Sequence, residues 1–409
     1  MLKTSFPTKT QTNRRGVVTS FILIMNVFVW YLFLFSMIAS VVGSMGLTTE
    51  ERFAIWTLNF VSAAVSALLG AVITSRFKRR DFFLFCWMLF GVISSIIPMF
   101  FQPLDKSSLF FTVFLFGVAF GLGMPSSMGY FSDSTTVQNR ATLGGMAFLI
   151  MGLAAFALGV FQVTEVSQVL AVAAVWRGLG MAAFLYIKSS KSMRKEGKPI
   201  SYKAVLTQRS FLLYFTPWVM FCLVDQTSVP VIYRSFGEEF TTLLTAIEFA
   251  LIGISALISG IICDRIGRRR VAIFGFVMIG VGYAILGIFP QALISRYFYI
   301  IADSVAWGIF NAIFFMTLWG DLAGEASSEK YYAIGGLPYL MSNFLRYALG
   351  SLIADIVSLN AIFSLASFFL FLAVLPLMYA SETLPEKKIR DRELKGYIKK
   401  AKKVKEKYA

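Results

Sequence analysis

Apolar runs long enough to cross a lipid bilayer recur along almost the whole chain and limit what it can fold into. The runs are continuous rather than alternating, which is typical of membrane helices and not of β-barrel strands. Because lipid offers the backbone no hydrogen-bond partner, each run is expected to be helical. We predict an all-α membrane protein with twelve spans: 17–45, 54–75, 81–101, 108–132, 143–163, 168–188, 211–233, 241–263, 271–289, 293–320, 333–357 and 359–380.

The composition excludes most other classes of protein. Of the 409 residues, 57% are hydrophobic and 15% are charged, whereas a soluble domain carries about 25% charged residues. The absence of histidine excludes a histidine metal site, and Cys86, Cys222 and Cys263 are too far apart for a CxxC site. We therefore expect no metal, no cofactor and no enzymatic activity. The net charge of +16 lies in loops between the spans, so we attribute it to the membrane topology rather than to a nucleic-acid partner.

Lysine and arginine in alternate loops predict the orientation of the spans. Both termini are placed in the cytoplasm, and the chain is predicted to be a multi-pass, monomeric protein of the plasma membrane in contact with lipid. The longest interior polar stretch divides the chain and is interpreted as a solvated connector. The predicted units are a leader (1–16), an N-terminal six-helix bundle (17–188), a central loop (189–210), a C-terminal six-helix bundle (211–380) and a basic tail helix (381–409).

A short basic turn occurs twice, once in each half of the chain. GIICDRIGRRR begins at Gly260, and AVITSRFKRR occupies residues 71–80. When Ser75 is aligned with Asp264, the arginines of the two turns coincide, and Arg80 falls on Arg269. The arginines favour the cytoplasmic side of the membrane.

A second pair of landmarks repeats at nearly the same spacing. Asp133 follows the fourth predicted span and Asp321 follows the tenth, 188 residues later. Two landmarks at one offset indicate a duplicated six-helix unit, the arrangement of two-lobed transporters.

The turn GIICDRIGRRR resembles the cytoplasmic signature of the major facilitator superfamily, G-x-x-x-D-R-x-G-R-[RK], at every defined position. The first copy departs from that pattern, since Ala71, Ser75 and Lys78 replace its Gly, Asp and Gly. The resemblance implies two pseudo-symmetric bundles that alternate access to a central solute, and a gate in which Asp264 approaches the start of the fifth span near Thr142. The predicted gate residues are Gly260, Asp264, Arg265, Gly267, Arg268, Arg269, Arg76, Arg79, Arg80, Asp133, Arg140 and Asp321.

Charged and polar side chains inside spans are costly and are therefore candidates for function. We predict that a cluster in the second half carries a proton and binds solute; a static ion pair is the alternative. The first half has little interior charge. Its Trp30 is interpreted first as a packing residue and second as a contact for the ligand. Arg177 is interpreted as an interfacial anchor beside Trp176, and a central position in the sixth span is the alternative. The predicted substrate and proton site comprises Asp225, Gln226, Glu248, Asp303, Trp307, Arg346, Asn26 and Trp30.

The resemblance also implies a function. DQTSVPVIY (225–233) and SETLP (381–385) are loosely similar to motifs of the sugar and metabolite symporter branch. We therefore expect a secondary active transporter of a small polar metabolite, a sugar or an organic acid, by proton-coupled symport. The alternatives are proton-driven efflux of lipophilic compounds, and a transporter-like sensor or lipid scramblase.

Overall fold

A computed structural model describes residues 14–76, 79–161, 165–187 and 197–384, except the side chains of 158–161 and 238–246. Most of the predicted leader and the predicted tail helix from residue 385 onward lie outside the described residues.

The described chain is almost wholly helical, as its continuous apolar runs predict. A 3₁₀ turn (Ile97–Phe101) continues α3, and a π-helical segment (Asn311–Thr317) joins α10 to α11. The described parts contain no strand, only an isolated bridge between Lys198 and Ala326. The α-helices are α1 (Arg14–Ser44), α2 (Thr49–Arg76), α3 (Arg80–Ile96), α4 (Lys106–Ser134), α5 (Arg140–Phe161), α6 (Val166–Ile187), α7 (Tyr202–Leu206), α8 (Arg209–Ile266), α9 (Arg268–Ile288), α10 (Leu293–Phe310), α11 (Leu318–Ala323), α12 (Glu329–Ile356), α13 (Leu359–Leu372) and α14 (Val374–Tyr379).

Eleven helices among the described residues are long and apolar enough to cross a membrane, whereas the sequence predicts twelve spans. The remaining predicted span, 333–357, corresponds to α12, which has 28 residues. This helix is less apolar because Asn343 and Arg346 interrupt it. The number of spans and the cytoplasmic placement of the termini stay predictions.

The seventh and eighth predicted spans are joined by helical backbone rather than by the open loop expected at 234–240. α8 continues through this segment, and its one non-helical residue is Gly237, with φ 79° and ψ 173°. A positive φ suits glycine, which has no Cβ to clash with the backbone. The chain therefore reverses direction at a kink.

The two halves of the chain repeat one packing arrangement. In the first half, Ser66 of α2 donates to the carbonyl oxygens of Ala63 at 3.1 Å and Gly117 at 3.4 Å. In the second half, Ser259 of α8 donates to Ala256 at 3.1 Å and to a glycine carbonyl of α10 at 3.4 Å. A serine-to-glycine contact thus joins two helices in each half.

The halves meet along two pairs of helices. α5 packs along the second part of α8, and α2 packs against α12. At one contact, a Cβ on Gly145 of α5 would lie 2.2 Å from the carbonyl oxygen of Ala256. Such an approach needs glycine, because any side chain would collide with the facing backbone.

Candidate functional site

The second basic turn is a reversal between α8 and α9 that only glycine fits. Gly267 has a φ of 105° and separates the two helices. A Cβ there would lie 2.3 Å from a carboxylate oxygen of Glu382. We call the end of the bundle that carries this turn and residues 76–80 the basic end.

Asp264 lies against the N-terminus of α5, across the boundary between the halves. Its carboxylate accepts from the backbone N–H of Thr142 at 2.8 Å and of Ala141 at 3.4 Å. The first N–H groups of a helix have no partner within the helix and carry partial positive charge, so a carboxylate there is stabilising. Asp264 is 5% exposed, which screens this contact little.

Asp321 joins an arginine of each half. Its carboxylate accepts from Arg140 Nη1 and, at 3.1 Å, from Arg268 Nε. Arg268 also donates to Asp264 at 3.0 Å and to the backbone oxygen of Val137. All three charged side chains of the Asp321 group are buried. We call Asp264, Arg268, Arg140 and Asp321 the ionic gate.

Arg80 occupies the corresponding position in the first half. It pairs with Asp133 at 2.8 Å, and its Nη2 lies 3.5 Å from Glu329 at the start of α12. Because Arg80 and Arg268 each begin a helix and each pair with the repeated aspartate, the alignment of Arg80 with Arg269 is wrong by one residue. The ion pairs place the duplicated turns at the same 188-residue offset as the aspartates.

Other predicted gate residues lie outside this buried network. Arg76, Arg79 and Arg265 are exposed. Arg269 is half-buried and donates to the backbone oxygen of Ala380 at 3.0 Å. Gly260 allows close packing, since a Cβ there would lie 2.2 Å from the carbonyl oxygen of residue 141.

Glu382 completes the basic end, and sequence reasoning did not assign it a role. Its carboxylate accepts from the backbone N–H of Arg268 at 2.8 Å and of Arg269 at 3.1 Å, which caps α9. The next residue, Thr383, donates to Asp321 at 3.2 Å. The SETLP segment could have indicated this role, because a Glu just after the last span can reach the start of a neighbouring helix.

The described part of the central loop contacts both halves, although most of its residues are exposed, as a solvated connector predicts. Lys330 of α12 donates to the carbonyl oxygen of Ile200 at 2.8 Å, and Tyr202 donates to the carbonyl oxygen of Leu68 in α2 at 2.6 Å. Burial raises the pKa of Tyr202 to about 12. We call residues 197–208 the strap.

A cavity of about 430 Å³ lies beside the strap and the ionic gate. Its lining includes acids and bases of both halves, among them Asp133, Arg140, Asp321 and Glu329, together with Lys198 of the strap. The cavity therefore belongs to the boundary between the halves at the basic end.

Asp225 is buried inside the second half, where neutral donors hold it. Its two oxygens accept from the hydroxyl of Tyr283 and the indole N–H of Trp307, each at 3.1 Å. Tyr283 in turn accepts from Tyr299 at 3.3 Å. Asp225 is 2% exposed, so the rings exclude water from its carboxyl group.

Asp303 and Glu248 lie beside Asp225. The carboxyl groups of all three acids are close enough to interact electrostatically. One of its oxygens has no hydrogen-bond partner among the described residues, and neither does the neighbouring hydroxyl of Ser304. A hydrogen bond between two carboxyl groups needs a proton on one of them, because two carboxylates both lack a donor. The arrangement can therefore hold a shared proton.

Arg346 lies near these acids without an ion pair to them. Its Nη1 donates to the side chain of Gln226 at 3.1 Å and its Nη2 to the hydroxyl of Tyr233 at 3.4 Å. No carboxylate among the described residues lies within 4.0 Å of its guanidinium nitrogens. Among the described residues, the three acids are therefore not held in place by a direct ion pair with Arg346.

Asn26 and Trp30 lie apart from this cluster and hold Arg177 instead. Asn26 accepts from Arg177 Nη1 at 2.7 Å. The guanidinium lies between two indole rings, 4.9 Å from the centroid of Trp30 and 4.5 Å from that of Trp87. Arg177 is 0% exposed, so its interpretation as an interfacial anchor is wrong. We call this group the arginine cage; the sequence offered no signal for it beyond a charge near the middle of a span.

Aromatic rings from both halves meet away from the basic end. Tyr347 of α12 contacts Phe35 and Trp56, with ring centroids 5.0 Å and 4.8 Å away. Phe344 stacks on Phe60 at 5.6 Å. The halves therefore touch through rings here and through charges at the basic end.

Two similar helical halves, joined by charges at the basic end and by rings and close backbone contacts elsewhere, define a two-lobed helical membrane fold. The family model described as Major Facilitator Superfamily matches residues 224–406. The resemblance to that superfamily, stated from the turn GIICDRIGRRR, is thereby confirmed for this part of the chain.

Solved structures extend the likeness over the whole fold. The proton:xylose symporter XylE, bound to 6-bromo-6-deoxy-D-glucose, has 14% identity and a TM-score of 0.67, over 90% of this chain and 96% of that chain. The human organic anion transporter MFSD10 (TETRAN) has 15% identity and a TM-score of 0.62, over 89% and 99%. At these identities the likeness concerns the fold. A search of curated proteins found no match.

Proposed function

We propose that the chain is a proton-coupled symporter of the plasma membrane that moves a small polar metabolite, a sugar or an organic acid, by alternating access. The observation that carries this proposal is a group of three acids in the second half: Asp225 and Asp303 are buried, and the partly exposed Glu248 interacts with both. Proton sharing within such a group changes when water or a cation reaches it. Opening of the solute path would supply that change.

The ionic gate supports alternating access. Its contacts cross the boundary between the halves at one end only, so its formation favours the state closed at the basic end. A carboxylate at a helix N-terminus contributes about 0.3–1 kcal/mol when exposed and up to about 2 kcal/mol when partly buried. Contacts of this size bias a conformational equilibrium without fixing it, which a transport cycle requires.

Uptake into proteoliposomes under an imposed pH gradient tests the proposal. Purified protein is tested against a panel of sugars and organic acids, with and without a protonophore. We expect accumulation that needs the gradient. We expect Asp225→Asn, Glu248→Gln or Asp303→Asn to remove the dependence on the gradient while leaving exchange of solute across the membrane.

Asp355→Asn is the matched control. Asp355 is an exposed acid paired with Arg234 at the surface, so its loss should leave coupling unchanged. Full coupling in all three cluster variants would contradict the proposed role of the acids.

Proton-driven efflux of lipophilic compounds is a second candidate, favoured by the rings between the halves. A panel that includes hydrophobic dyes separates the two. Extrusion of dye driven by the gradient, with no uptake of sugars or acids, would favour efflux.

A further inference from the structure

We propose that the solute is an organic acid with one carboxylate and a flat apolar body, and that Arg346 binds its carboxylate. This inference rests on the proposed transport function. It narrows the solute from any small polar metabolite to one chemical class.

Arg346 has the donors that a carboxylate needs. A guanidinium offers five N–H donors in a planar fork, and the two contacts to Gln226 and Tyr233 leave others for a ligand. The contacts to Gln226 and Tyr233 are hydrogen bonds to neutral groups, so neither neutralises the charge. Its side chain is half-buried, whereas Asp225 and Asp303 are buried among helices of the second half. An anion arriving between the halves therefore meets the arginine before Asp225 and Asp303.

Aromatic rings adjoin Arg346 on the side that faces the first half. Its guanidinium lies 5.2 Å from the ring centroid of Tyr347. The same ring contacts Phe35 and Trp56 of the first half. Separation of the halves exposes these ring faces next to the charge. Ring faces bind flat apolar groups, and a neighbouring guanidinium fixes the orientation of an attached carboxylate.

The neighbouring acids link this binding to protons. Asp225 and Glu248 interact electrostatically with Arg346, and Tyr233, Tyr339 and Tyr347 are the other titratable groups near it. Ionised acids repel an arriving carboxylate and attract the guanidinium. Protonation of an acid removes both effects, so the anion and the proton should bind together. Binding should therefore strengthen as the pH falls.

Calorimetric titration of the purified full chain tests the chemical class. The probes are phenylacetate, its neutral analogue phenylacetamide, the cation phenethylamine, and glucose. The carboxyl group of phenylacetate stays ionised above about pH 5.5, since such acids titrate near pH 4. We expect phenylacetate to bind at least about tenfold more tightly than phenylacetamide, because a charged hydrogen bond is lost with the amide. We expect its affinity to be higher at about pH 5.5 than at about pH 8, because proton sharing among the neighbouring acids accompanies binding of the anion.

Variants test whether Arg346 is responsible for the affinity for phenylacetate. Arg346→Gln should weaken phenylacetate binding by about ten- to a hundredfold and leave phenylacetamide unchanged, and Arg346→Lys should retain part of the affinity. Arg234→Gln, which alters an exposed arginine near the end of the first part of α8, should have no effect. The probe comparison on the unaltered protein keeps the test valid if Arg346→Gln does not fold.

The outcomes separate the two proposals. Equal binding of phenylacetate and phenylacetamide, or preferred binding of glucose or phenethylamine, would overturn the chemical class; gradient-driven uptake of the preferred probe would still support proton-coupled transport. Binding of phenylacetate through Arg346 without gradient-driven accumulation would instead overturn the proposed function.

Discussion

Arg140, the first residue of α5, and Asp321 of α11 form an ion pair between the two halves, with side chains only 3% and 1% exposed. Arg268 shares the same carboxylate. A buried pair is costly to break from one side, because the remaining charge stays without a counter-charge. This makes the basic end sensitive to a single substitution.

Asp321→Asn should shift the protein toward the state open at the basic end. The substitution leaves buried Arg140 without a carboxylate partner among the described residues and Arg268 with Asp264 alone, at a cost of about 3–5 kcal/mol in the closed state. Separation of the halves lets water reach both arginines and avoids that cost. Spin labels at the exposed positions Arg79→Cys and Arg265→Cys, in a chain with Cys86→Ser, should report a longer distance.

Lys106→Gln is the control for that measurement. Lys106 pairs with Glu51 at 2.7 Å, but the lysine side chain is 57% exposed. Exposed pairs of this kind are screened by water and contribute little. An unchanged label distance in Asp321→Asn would contradict the role of the ionic gate.

Glu382→Ala should loosen the start of α9. Loss of the acceptor for two backbone N–H groups costs about 0.5–2 kcal/mol, as for other helix caps. Hydrogen exchange of residues 268–270 should become faster, while exchange at the start of α13, which Ser358 caps, stays unchanged. Unchanged exchange of residues 268–270 in the variant, relative to the unaltered protein, would show that the cap is not needed.

Tyr202→Phe should favour opening at the basic end. The substitution removes the hydrogen bond from the strap to Leu68, with a net contribution of about 0.5–1.5 kcal/mol, so the ratio of closed to open molecules should fall by up to about tenfold. The same pair of labels at positions 79 and 265 measures the change.

The pH dependence of the strap follows from the raised pKa of Tyr202, about 12. The neutral hydroxyl is the donor, so the contact should be fully present below the ordinary tyrosine pKa of about 10 and weaken as the pH approaches 12. A rise in label distance between about pH 10 and about pH 12 that also occurs in Tyr202→Phe would contradict this assignment.

Asn26→Ala should destabilise the first half more than Arg177→Met. The former leaves a buried guanidinium without its side-chain acceptor, at about 1–3 kcal/mol, whereas the latter replaces the buried charge with an apolar chain of similar size. Asn26→Ala should lower the stability less in a protein that already carries Arg177→Met than in the unaltered protein. Thermal unfolding of all four forms in one detergent measures this coupling, and strict additivity would rule it out.

Some features of the site could be predicted because they reside in local sequence. Asp264 follows from a motif of eleven adjacent residues, and the repeat of Asp133 in Asp321 follows from spacing. Arg177 could not be placed, because burial depends on which face of α6 meets α1 and α3. Glu382 could not be assigned because it lies more than a hundred residues from the helix it caps.

The sequence by itself determined that the chain is a helical membrane protein built from two related halves, since backbone hydrogen bonding in lipid and the periodic recurrence of motifs need no tertiary information. Only the tertiary structure decided which charges meet. It separated Asn26 and Trp30 from the acids of the second half and brought Asp321 between two arginines, because helix rotation and the approach of distant segments set side-chain contacts.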